Sequence, residues 1–105
     1  MCRKWGGGPL LGVECPSVTI ESEHVTEYAS SNWASRGFCK LCGTHLYYKF
    51  NAKSHYFIPA GLLDGKASQL TFKEEIFIDQ KPHYYDFANR TEKLTKQQTY
   101  EKYSK

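Results

Sequence analysis

Apolar and polar residues alternate with a period of two through much of this chain, a rhythm that predicts short strands rather than helices. It is clearest after Thr44, where Leu46, Tyr48 and Phe50 fall on one side and His45, Tyr47 and Lys49 on the other. Residues 10–14, 17–21 and 24–28 read as three earlier strands, with breaks near Pro16 and Glu23. Residues 55–60 form another, and Pro59 within it points to an edge or a bulge, because proline has no N–H for a ladder. The run Ile76-Phe77-Ile78 marks a further strand over residues 74–79, closed by Lys81-Pro82.

Turn chemistry separates these segments. Trp5-Gly6-Gly7-Gly8-Pro9 is a flexible or tightly turned opening, Ser30-Ser31-Asn32 a turn, and Leu62-Leu63-Asp64-Gly65 a turn through its Asp-Gly pair. Helix signals gather only at the end. Thr95 with Gln98 three residues on fits a capping box, and residues 96–103 hold no breaker. The pattern predicts a mainly antiparallel β domain with one short C-terminal helix. A chain of 105 residues makes one such domain, with a modest core.

Composition removes several function classes. With 40% hydrophobic and 15% aromatic residues the chain is too apolar for disorder. The net charge of +3 is mild, and the lysines spread along the chain before gathering near its end, which describes a solvated face better than a nucleic-acid-binding surface. No apolar run approaches the ~20 residues of a membrane span, and no apolar core follows the charges at the start. The expectation is a cytoplasmic, reducing setting, where clustered cysteines mean metal or catalysis rather than disulfides.

Such a cluster stands at Arg36-Gly37-Phe38-Cys39-Lys40-Leu41-Cys42-Gly43-Thr44. Two thiols three residues apart, followed by a glycine that tolerates positive φ, make half of a tetrahedral zinc site. Two rivals stand beside zinc. A thioredoxin-like redox pair belongs at a helix start, whereas an alternating strand follows here; inert buried thiols are the other. His45 would extend the pair to Cys-x2-Cys-x2-His, but that spacing is tighter than usual and an ordinary surface histidine is the plainer reading. His24, His55 and His83 take the same reading, and Cys15 that of a small buried thiol.

Taken in order, Met-Cys-Arg-Lys-Trp-Gly-Gly-Gly-Pro at 1–9, Arg-Gly-Phe-Cys-Lys-Leu-Cys-Gly-Thr-His-Leu at 36–46 and Gly-Leu-Leu-Asp at 61–64 resemble the glutathione-dependent formaldehyde-activating enzyme family. Glu75-Ile76-Phe77-Ile78-Asp79, Pro82-His83-Tyr84-Tyr85 and Phe87-Ala88-Asn89 extend the resemblance over nearly the whole chain. It implies a β-tent, in which antiparallel sheets join at a zinc site, and two metal centres. Cys39 and Cys42 would be half of the structural one, and Cys2, before Arg3-Lys4-Trp5, the last ligand of the second. The family's other ligands would precede residue 1. The expectation is therefore an N-terminally truncated member, or a degenerate one, with three of about seven thiolates.

The implied function is that of a zinc-dependent carbon–sulfur lyase of the S-(hydroxymethyl)glutathione synthase type, acting on a small thiol such as glutathione and on formaldehyde, and incomplete as written. The alternative is a non-enzymatic zinc-stabilised β binding module. Neither nucleic acid nor membrane enters as a partner; a homodimer is one means of recovering stability that a lost zinc removes. No catalytic residue is assigned. Trp5 lines a cleft or packs on the core, Arg36 offers a planar fork to a carboxylate or lies on the surface, and Asp64 belongs to its turn. Tyr84, Tyr85 and Phe87 read as core and interface.

Overall fold

The computed structural model describes residues 2–52 and 55–103, with the side chains of Cys2, Asp64 and Ala67 outside that description. Its elements are α1 (Cys2–Gly6), β1 (Gly12–Cys15), β2 (Val25–Tyr28), β3 (Ala34–Cys39), β4 (His45–Phe50), β5 (His55–Pro59), β6 (Glu74–Glu75), β7 (Glu92–Lys93) and α2 (Lys96–Tyr103). The fold is mainly β with a short C-terminal helix. Two compact units divide it, Met1–Ser68 and Gln69–Lys105.

The first unit is an antiparallel sheet of five strands in the order β1-β5-β4-β3-β2. Its interior strand β3 lies where the alternation pattern predicts no strand. Ala-Ser-Arg-Gly-Phe-Cys has weak β-propensity, so its conformation comes from pairing on both sides, with β2 and with β4. Small residues suit that place. Ala34 is wholly buried, and buried Ser35 donates its hydroxyl to Asn51 Oδ1 at 3.3 Å.

Gly37 faces Tyr47, the most buried aromatic residue of the unit, and a Cβ at Gly37 would stand 2.2 Å from the Tyr47 ring. The same ring ends in a hydroxyl that donates to the Glu27 carboxylate at 2.5 Å, and Glu27 is the β2 partner of Gly37. One side chain thus ties three strands. Next to this row the register slips: Gly37 pairs with Tyr47, but Phe38 pairs with His45. This bulge ends the strict alternation of β4 and sets His45 beside Phe38.

Residues 17–21 form no strand. β1 and β2 are opposite edges of the sheet, so the chain between them crosses from edge to edge with no neighbour to pair. Pro59 is likewise not on an edge. β5 lies between β1 and β4, and Pro59 is its last residue, paired with Gly12 but beyond the β4 ladder, which stops at Phe57. At the other end, residues 5–9 are no simple turn, because α1 runs into Gly6 and closes with Gly7 at φ 75°. The turn expected at 62–65 is part of a 3-10 stretch, Ala60–Gln69, broken at Leu63.

In the second unit β6 and β7 make a two-residue ladder that is parallel, not antiparallel, its strands joined by a long crossover. The strand expected over 74–79 stops at Glu75. Phe77 takes a left-handed φ of 54°, its N–H points to the Thr99 hydroxyl at 3.4 Å, and its ring meets Tyr100 edge-on at 5.5 Å. Packing against α2 thus overrides the β-rich composition of Ile76-Phe77-Ile78. The helix itself agrees with its sequence signals. Thr95 Oγ1 accepts from Gln98 N–H at 3.1 Å and Gln98 Oε1 accepts from Thr95 N–H at 2.9 Å, while Asp79 accepts from Lys96 N–H at 2.8 Å. Leu94 and Thr99 are the buried residues of this unit.

Candidate functional site

The two paired cysteines sit on the turn from β3 to β4. Cys39 N–H donates to the Thr44 carbonyl at 2.9 Å, Gly43 N–H donates to the Cys39 carbonyl at 2.7 Å, and Gly43 takes φ 79°. That positive φ is what the glycine after Cys42 predicts. Lys40 N–H donates to the His24 carbonyl at 2.8 Å, fastening the turn to the start of β2.

Cys39 is half-buried and Cys42 exposed. The Thr44 hydroxyl, 3.1 Å from Cys42 Sγ, lowers that thiol below its ordinary value, helped by the Thr44 backbone and by Cys39. β4 follows the pair, so no helix dipole acts on it.

Two sulfurs on one tight turn are the donor chemistry of half a four-coordinate zinc site. Among the described residues no three Cys, His, Asp or Glu side chains gather to hold a metal. The Cys2 side chain lies outside the described residues. Cys15 stands on edge strand β1, half-buried, with Sγ 3.7 Å from the Val13 carbonyl.

A cleft of about 220 Å³ opens in the first unit, lined by Trp5, Gly6, Pro9, Leu10, Arg36, His45 and Pro59. α1 contributes Trp5, whose half-exposed indole stands 5.4 Å from the His45 ring and 6.4 Å from Phe38. Trp5 therefore does both things the sequence allowed, lining the cleft while packing on the sheet. Arg36 lies over the ring of its cross-strand partner Tyr48 at 5.0 Å, an attraction between cation and ring face.

His45 is the cleft residue that sequence reasoning missed. Burial holds its imidazole below the ordinary value of 6.5, and the Arg36 charge adds to this; a hydrogen bond to the Tyr47 backbone opposes both. Gly37 is the one signal for the bulge, but it speaks only once residues 34–39 are known to be a strand, so the spacing alone does not separate His45 from an ordinary surface histidine.

Elsewhere, Tyr85 and Phe87 meet at 5.5 Å and Phe87 meets Phe72 at 4.9 Å, a packing role; Tyr84 is exposed. His55 Nδ1 lies 3.4 Å from Glu14 across β5 and β1. No helix among the described residues is long and apolar enough to cross a membrane.

The chain has a relative in sequence that is named a lyase. Over 98 residues, 90% of this chain and 70% of the other, the sequence is 47% identical to the uncharacterized lyase C29B12.13 of Schizosaccharomyces pombe. The chain belongs to the family of that yeast protein. No family model matches the chain, and no solved structure does.

Proposed function

We propose that this protein is a zinc-dependent carbon–sulfur lyase of the S-(hydroxymethyl)glutathione synthase type, making or breaking adducts of a thiol such as glutathione with an aldehyde such as formaldehyde. The observation that carries this reading is the kinship with a protein named a lyase. The residues that resemble the formaldehyde-activating family supply the finer chemistry.

In this reading Cys39 and Cys42 hold one half of a structural Zn2+ site, and Cys2 is a ligand of a second centre. Among the described residues no third donor side chain gathers with Cys39 and Cys42. At an open coordination position zinc lowers the pKa of a thiol, which otherwise is only a few per cent thiolate near neutrality. The chain's own residues do the rest. Trp5, Pro9, Leu10 and Pro59 give the cleft apolar walls, and Arg36 brings a fixed positive charge to the place where an adduct oxygen gains negative charge. A β-tent joined at the metal, a homodimer and a cytoplasmic setting belong to the same proposal, with no part for nucleic acid or membrane.

Zinc content and the rate of hemithioacetal formation from glutathione and formaldehyde, followed by exchange NMR with and without a chelator, test it. Chelator-sensitive acceleration is expected. A zinc-replete protein with no acceleration defeats it. The alternative is a zinc-stabilised β binding module, since a fold of this kind does not by itself fix an activity. Tight macromolecular binding without any thiol dependence would select that one.

A further inference from the structure

Resting on the lyase reading, a second question is which aldehyde the cleft accepts. Its walls are indole, proline and leucine, and its polar groups are Arg36 and His45. About 220 Å³ is far more room than a one-carbon aldehyde fills. Among the described residues the buried His45 Nε2 atom meets no hydrogen-bond partner, an arrangement native proteins keep rare.

We propose that this cleft binds the carbonyl-derived half of the adduct, and that its ligand is a small uncharged molecule with an apolar body larger than one carbon and a single hydroxyl. The hydroxyl donates to His45 Nε2 and accepts from Arg36, while the body rests on Trp5 and Leu10.

The reasons are chemical. Burial and the Arg36 charge hold the His45 ring below its ordinary value, so it is neutral near pH 7 and one of its nitrogens carries a lone pair. Nε2, buried with no hydrogen-bond partner among the described residues, is the acceptor this ligand uses. A carboxylate would suit Arg36 but face that lone pair with another. A bare carbonyl offers no proton. A hydroxyl at tetrahedral carbon has both the donor and the acceptor, as the hydroxyl of a thiol–aldehyde adduct does.

The test uses benzyl alcohol as probe and Trp5 as reporter, in a Trp33→Phe background that leaves one indole. Saturable change of Trp5 emission with benzyl alcohol, weakened about tenfold by His45→Ala, is expected for a lost buried hydrogen bond. In the unmutated protein the His45 Nε2 nitrogen resonance should move on adding benzyl alcohol, a readout that needs no variant to fold. Tighter binding of benzoate than of benzyl alcohol overturns the proposal. So does the absence of saturable binding, or a nitrogen resonance that stays still. Binding that passes these criteria in a protein without lyase activity would leave the cleft assignment standing and remove only the enzyme.

Discussion

Tyr47 occupies the space that a side chain on Gly37 would need, and its hydroxyl reaches beyond Gly37 to Glu27 on the next strand. Three strands are held in one row by a single residue, and the bulge that exposes His45 to the cleft begins one pair further along.

Gly37→Ala should therefore cost about 1–3 kcal/mol of folding stability, the usual penalty of overpacking. Tyr47→Phe should cost about 0.5–1.5 kcal/mol through the lost bond to Glu27. Urea unfolding of both variants checks this, and in a Tyr47→Leu background the Gly37→Ala penalty should shrink.

The Tyr47 phenol is pushed far above its ordinary value of 10.0, first by burial and then by the Glu27 carboxylate. A raised folded value contributes stability that is whole below pH 10 and is lost as the pH climbs above it. Ultraviolet titration should find one tyrosine that ionises only with unfolding, absent in Tyr47→Phe.

His45 has the opposite sign. Its folded value lies below 6.5, so its contribution is whole above that pH and is lost as the pH falls towards the folded value. The fall in stability between pH 7 and pH 5 should be shallower in His45→Gln, measured by urea unfolding at each pH.

If the proposed structural zinc is present, replacing Cys39 and Cys42 together by serine should remove it. Elemental analysis decides it: unchanged zinc after the double substitution would place the metal elsewhere. Partial retention of zinc in either single variant is expected to be weak, since one thiolate of the pair is then gone.

Thr95→Ala should cost about 1 kcal/mol, because its hydroxyl accepts the Gln98 N–H at the start of α2. Thermal unfolding followed by circular dichroism reports the change, with a smaller effect from Gln98→Ala, which loses only the reciprocal bond.

What the sequence determined by itself is local. The capping box and breaker-free stretch specify α2, because caps and helical hydrogen bonds join residues only three or four apart. The Cys39–Gly43 turn is local in the same way, as glycine at positive φ closes it. The alternation in residues 45–50 marks β4 correctly, and the strand expected at 55–60 is β5, which ends at Pro59.

The tertiary structure decided the rest. β3 is a strand because β2 and β4 flank it and Tyr47 needs a glycine beneath its ring. Residues 74–79 break after Glu75 because Phe77 packs on Tyr100 and gives its N–H to Thr99. His45 joins Arg36 and Trp5 only through a one-residue slip in pairing. Each of these outcomes depends on residues seven or more positions apart, whose meeting costs chain entropy that only the assembled sheet or the packed helix repays.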